Sequence, residues 1–223
     1  MKKLLLIYSL CSVILSCESS KIVNEVPVDN QCNSLLNKCA VESMADFCTF
    51  GYKWGKDNPF QNAGFNISGP ASGSVEISYK FQDAGLIFNT HSQNKVESKS
   101  FDKIIPCAKQ KIREAFVEWQ SKSDVKFVEK PSNDKSDITV ILADINQGGL
   151  GYPNFPNQPC SGLIVFQNTS YTCEGIYSLS LHEIGHALGL GHVISLNVMN
   201  PNKSYLQLQS GDIKGIESIY GKK

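Results

Sequence analysis

The chain has 223 residues, with 41% hydrophobic residues, 19% charged residues and a formal net charge of +0. That balance fits one globular domain of modest size with a short appendage, and it excludes a coiled coil, a collagen-like repeat and a disordered charged tail. Lys and Arg number 21 together, as do Asp and Glu; no positive field is left to hold nucleic acid, so no nucleic-acid partner is expected.

In chain order, Met1-Lys2-Lys3 and the apolar run Leu4 to Leu15 come first. A basic start and an apolar core too short for a permanent span have the form of a secretory signal. The run ends in Ile14-Leu15-Ser16-Cys17, which resembles a bacterial lipobox. Residues 1–16 are therefore expected to be removed and Cys17 to carry lipid. Ordinary cleavage near Ser16 to Ser20, giving a freely secreted chain, is the alternative. Either way the protein is expected outside the cytoplasm, as an outer-membrane or cell-surface lipoprotein or as a secreted protein. Contact with a membrane is expected only through the N-terminal lipid, and the protein is expected to be a monomer. Six of the 8 Cys then remain: Cys32, Cys39, Cys48, Cys107, Cys160 and Cys173. An even number in an exported protein predicts three disulfides. Cys160 and Cys173 flank one predicted strand and are the pair expected.

Residues 17–46 are polar and loosely patterned, and read as a tether with a small disulfide-held segment; residues 47–223 read as the domain. Val75, Ile77, Tyr79 and Phe81 alternate with Glu76, Ser78 and Lys80, which predicts a half-buried strand. A helix is predicted from Lys103 to Gln120, with Ile105, Ala108, Ile112, Ala115, Phe116 and Trp119 on one stripe and Pro106 in its first turn. Val125 to Val128 is a short strand, and Asp137 to Ala143 reads as a central one. Gln147 to Cys160 is rich in Gly, Pro and Asn and reads as a loop. A strand at Leu163 to Phe166, a helix at Ser178 to Leu188 and a last helix at Ser210 to Tyr220 follow. The fold class predicted is α+β: a small twisted mixed sheet with two long helices and a C-terminal helix.

The chemistry concentrates in His182-Glu183-Ile184-Gly185-His186-Ala187-Leu188-Gly189-Leu190-Gly191-His192. On a helix, His182 and His186 stand one above the other and can share one ion. Gly189 can take a positive φ and end the helix, so that the chain returns and His192 adds a third nitrogen. Three protein ligands leave the fourth position of tetrahedral Zn²⁺ open for water, and Glu183 stands where it can act on that water as a general base. Three of the 4 His fall in this window, and at the chain's own residue frequencies about five such windows arise per million chains. A chance surface cluster is set aside on that ground. The fourth, His91, sits alone in a polar loop.

HExxHxxGxxH resembles the signature of the metzincin metallopeptidases, and HEIGHALGLGH is most similar to that of the matrixins. Ser195 to Pro201, with Met199, resembles the family's Met-turn. Asp212 to Gly221 is similar to its C-terminal helix, and Ala115 to Trp119 to its first long helix. The resemblance covers about residues 47–223. It implies a metzincin-like fold, one catalytic Zn²⁺ on His182, His186 and His192, and Met199 packed beneath it. It further implies Glu183 as general base, a protein or peptide substrate lying extended along the rim Gln147 to Tyr152, and Tyr205 as a candidate wall of the pocket. Ca²⁺ is common in matrixins, with Asp137, Asp144 and the carbonyls of Gly148 to Gly151 as candidate ligands. The chain departs from the animal pattern: no His lies between His91 and His182 for a second zinc, the propeptide Cys motif is absent, and Val193 follows the third ligand. Latency is left open, with Cys32, Cys39, Cys48, Asp29 or Asp46 as candidate zinc caps. The reading is a zinc endopeptidase; the alternative is a non-catalytic zinc-binding surface lipoprotein.

Overall fold

Val75, Ile77, Tyr79 and Phe81 enter the core from β3 (Val75–Phe81) while Glu76 faces outward, as the alternation predicts. The computed structural model describes residues 32, 38–40, 43–60, 63–89 and 95–223. The segment read as a signal (residues 1–16), Cys17, Asp29 and His91 lie outside the described residues. β3 belongs to a five-stranded sheet. Its neighbours β6 (Val125–Glu129) and β7 (Ile138–Ala143) run parallel to it, and β9 (Leu163–Gln167) runs parallel to β7. β8 (Gly149–Gly151) closes one edge, antiparallel to β9. Strands β7 and β9 are central and almost wholly buried, which is why they read as near-continuous apolar runs. The architecture is the mixed α+β one expected.

The helix predicted from Lys103 to Gln120 is interrupted. Pro106 lacks an N–H and its ring crowds the preceding turn, so α1 (Phe101–Ile104) ends before it and α2 (Ala108–Lys122) starts after it. The stripe Ala108, Ile112, Ala115, Phe116 and Trp119 of α2 is buried as predicted. α3 (Cys173–Ala187) begins at Cys173, not at Ser178, because Thr172 caps it by accepting from Gly175 N at 3.0 Å. α4 (Ser210–Tyr220) spans the predicted residues. Helices α2 and α3 pack against each other, and the Trp119 indole N–H donates to the Leu181 carbonyl at 2.9 Å. Gln147 to Cys160 is not all loop, since β8 lies within it.

Two small sheets complete the fold. β1 (Cys48–Thr49) pairs with β2 (Gly64–Phe65) and with β10 (Leu190–Gly191); β4 (Ile87–Asn89) pairs with β5 (Lys95–Glu97).

Three disulfides join Cys32 to Cys160, Cys39 to Cys48 and Cys107 to Cys173. The number is the one parity predicts, but the expected Cys160–Cys173 pair is wrong. Cys160 precedes β9 and Cys173 follows it. Five residues of strand extend about 16 Å at ~3.3 Å each, whereas bridged Cα atoms lie about 4.4–6.8 Å apart. Cys173 instead opens α3 beside Cys107 at the start of α2, with their Cα atoms 6.0 Å apart.

Candidate metal centre

His182, Glu183 and His186 ride on the last turns of α3, and α3 ends immediately after them. Leu188 N donates to Ile184 O and Gly189 N to His186 O, both at 2.9 Å. Gly189 adopts φ +106, and a side chain there would collide with the Tyr52 carbonyl; only glycine suits both demands. The chain then reverses through β10 and delivers His192.

The three imidazoles converge. His182 Nε2 lies 3.1 Å from His186 Nε2 and from His192 Nε2, and the latter two are 3.1 Å apart. The Nδ1 of His182 donates to Val198 O at 2.7 Å, and that of His186 to Leu190 O at 2.8 Å. Those bonds fix the tautomer in which Nε2 is bare. Burial holds all three rings below the ordinary imidazole range, His192 at about 4. Neutral rings whose bare nitrogens face each other repel unless a cation sits among them. Metal–nitrogen bonds of about 2.0–2.1 Å at a tetrahedral ion place nitrogens about 3.3 Å apart, close to the separation present. Among the described residues this is the one cluster of three or more His, Cys, Asp or Glu side chains arranged for a metal ion.

Glu183 is buried, and burial pushes its carboxyl up to about 8. Oε1 lies against Gly149, where a Cβ would overlap it, while Oε2 is buried without a protein partner. That orphaned oxygen fits a water held beside a metal ion. Met199 is buried beneath α3, and a side chain at Gly185 would strike its sulfur. The Met199 segment hangs on Asp212, whose carboxylate accepts from Val198 N at 2.9 Å, Met199 N at 3.2 Å and Gln209 N at 2.8 Å. Asp212 thus holds the turn whose Val198 carbonyl holds His182. The sequence reading gave it no such role; its one signal was a place in the first turn of a helix.

A cleft of about 550 Å³ runs over the triad. The segment Gln147–Gly151 lines one side, Pro201, Lys203 and Ser204 line the other, and Ser178, Leu179, His182 and Glu183 of α3 form its base. Tyr205 is not among the lining residues: its N–H is tied to Ser178 Oγ at 3.1 Å and its side chain packs toward the core. Three of the candidate calcium ligands accept hydrogen bonds within the chain. Asp137 accepts from Ser78 N at 2.7 Å, Asp144 from Asn168 Nδ2 at 2.7 Å, and the Gly148 carbonyl from the Tyr171 hydroxyl at 3.0 Å. Of the candidate caps, Cys32, Cys39 and Cys48 are spent in disulfides and Asp46 pairs with Lys214 at 2.9 Å.

A mostly parallel sheet with an antiparallel edge strand, an HExxH helix, a returning third histidine and a methionine beneath it are consistent with a metzincin-like fold. The Matrixin family profile matches residues 163–221, which hold the whole triad and Met199. Matrix metalloproteinase-16 of Homo sapiens is 29% identical over 162 residues, covering 59% of this chain and 26% of its own length. Interstitial collagenase of Sus scrofa is 28% identical over 152 residues, covering 60% and 32%. The hatching enzyme of Paracentrotus lividus is 25% identical over 202 residues, covering 82% and 29%. The chain thus spans about a quarter to a third of the length of these relatives. Fold, site and match point the same way: over residues 163–221 the chain is similar to the matrixins.

Proposed function

We propose that this protein is a zinc-dependent endopeptidase that works on extracellular or periplasmic proteins, with residues 47–223 as its catalytic domain. One observation carries the reading: three bare imidazole nitrogens, each 3.1 Å from the other two, stand beside a buried carboxylate oxygen that has no protein partner. His182, His186 and His192 would hold the zinc. When bound, that ion supplies Lewis acidity, which lowers the pKa of water toward ~7 and polarises a scissile carbonyl.

The protein's own residues do the rest. Glu183 accepts the proton of the attacking water and returns it to the leaving amine. The outer edge of β8 faces the cleft, so an extended peptide can pair with it as an added strand. Export through the N-terminal signal, with lipid on Cys17 or without it, is supported by three disulfides, which persist in oxidising compartments. Among the described residues no helix is long and apolar enough to cross a membrane.

The test is Glu183→Gln, assayed for bound zinc and for cleavage of casein. The variant should keep one zinc per chain and lose activity by about 10²–10⁴-fold. Cleavage at the parent's rate would remove Glu183 from the mechanism. A zinc-loaded parent that cleaves nothing would favour the binding-only lipoprotein.

A further inference from the structure

We propose that the Cys39–Cys48 disulfide positions the third metal ligand, His192, by locking a short N-terminal loop behind the segment that carries it; this rests on the metal-site reading above. His182 and His186 are placed by a helix. His192 has no such support, for it follows the two-residue strand β10 and precedes an irregular run.

What holds that run comes from residues 39–50. Before His192, β1 pairs with β10 in the register Cys48↔Gly191 and Thr49↔Leu190, and Phe50 N donates to Gly189 O at 2.9 Å. The Phe50 ring also stacks on His186, with centroids 5.7 Å apart. After His192, Ile194 N donates to Ser43 O at 2.9 Å, Ser195 Oγ to Ala45 O at 2.8 Å and Asn197 Nδ2 to Asp46 O at 2.7 Å. The same stretch therefore grips the chain on both sides of the ligand.

The disulfide closes the loop that carries the Ser43, Ala45 and Asp46 contacts onto β1. Cys39 and Cys48 are both buried, and Cys39 packs so closely on Gly191 that a side chain there would collide with its Cβ and Sγ. The bond thus bears on the residue immediately before His192. With it in place, Cys39 stays packed on Gly191 and the loop stays folded on β1, so His192 is ordered before metal arrives. A ligand that must be ordered during binding weakens the affinity by that ordering.

The Cys107–Cys173 bond is the internal control. It pins the start of α3, nine residues and about 14 Å of helix away from His182. It closes a span of 66 residues against 9 for Cys39–Cys48, so its loss should lower thermal stability more. A purely structural role for both bonds would rank their effects on zinc in that same order; positioning of His192 reverses the order.

The experiment measures zinc dissociation constants, by competition with a chromophoric chelator, for the oxidised full chain, C39A/C48A and C107A/C173A. It also records the visible spectrum of each Co²⁺-substituted protein. C39A/C48A should bind zinc at least tenfold more weakly than the parent and show an altered Co²⁺ band. C107A/C173A should melt earlier yet stay within threefold of the parent's affinity. Equal losses in both variants, or C39A/C48A within threefold of the parent, would overturn the proposal. If C39A/C48A fails to fold, Ser195→Ala carries the test. It removes one bond of the grip and should release zinc at least threefold faster; release at the parent's rate would count against the proposal. A parent chain that binds no zinc would instead strike down the metal site itself.

Discussion

Glu183 and Lys203 are the two formally charged side chains that line the cleft, and they stand on different walls. Glu183 is buried beside the triad, whereas Lys203 is exposed on the segment that follows Met199. A substrate side chain seated between Lys203 and Ser178 meets an exposed cation and a hydroxyl-bearing helix face, while the one acid of the cleft, Glu183, is buried. Peptides with Asp or Glu at that position should therefore be cleaved faster than those with Lys. Lys203→Glu should reverse the preference, by about fivefold in kcat/KM in each direction, the scale of a solvent-screened charge pair. A positional-scanning peptide library reads this directly, and an unchanged profile would release Lys203 from the role. The triad itself was legible because helix geometry converts a four-residue spacing into a shared ion. Gly189 was legible for a related reason, since a tight reversal needs a positive φ. Lys203 was not, because nothing in its neighbours tells which way a loop turns.

At the scale of elements, α4 does more than end the chain. Its first turn places Asp212 under three backbone N–H groups, and two of them belong to the segment under the helix that carries His182 and His186. Burial pushes that carboxyl up while the three donors pull it down. Asp212→Ala would leave those donors without an acceptor in the interior and should cost about 3 kcal/mol of unfolding free energy. Zinc release should quicken with it, because Val198 O would no longer be held against His182. Urea unfolding checks the first claim, and a loss below about 1 kcal/mol would contradict it. The elements that the sequence reading misplaced share a cause. β8 is only three residues long and two of them are Gly, so it carries no alternation to detect. The glycines are there because Glu183 and the α3 backbone press on the strand. The first turns of α3 contain Gly175 and are marked mainly by Thr172, a cap that is visible only once the helix is known. In the other direction, the apolar stripe around Pro106 ran on while the backbone could not. Disulfide connectivity lies outside local reading altogether, since Cys32 meets Cys160 across 128 residues.

For the molecule as a whole, two of the three disulfides, Cys32–Cys160 and Cys39–Cys48, stitch the N-terminal segment to the rest of the chain at places that local chemistry does not reveal, and Cys107–Cys173 ties α3 to the start of α2. In the chain-entropy account a closed loop as long as that of Cys32–Cys160 is worth about 5 kcal/mol. A chain held in this way depends on oxidation for its stability, which agrees with a life outside the cytoplasm. The six described thiols are all paired, and among the described residues His182, His186 and His192 are the cluster that could hold a metal ion. The most direct test is zinc K-edge X-ray absorption on the purified, oxidised chain. The account predicts a first shell of three nitrogens and one oxygen at about 2.0–2.1 Å with no sulfur. Sulfur scattering at about 2.3 Å, or a first shell without histidine, would contradict it.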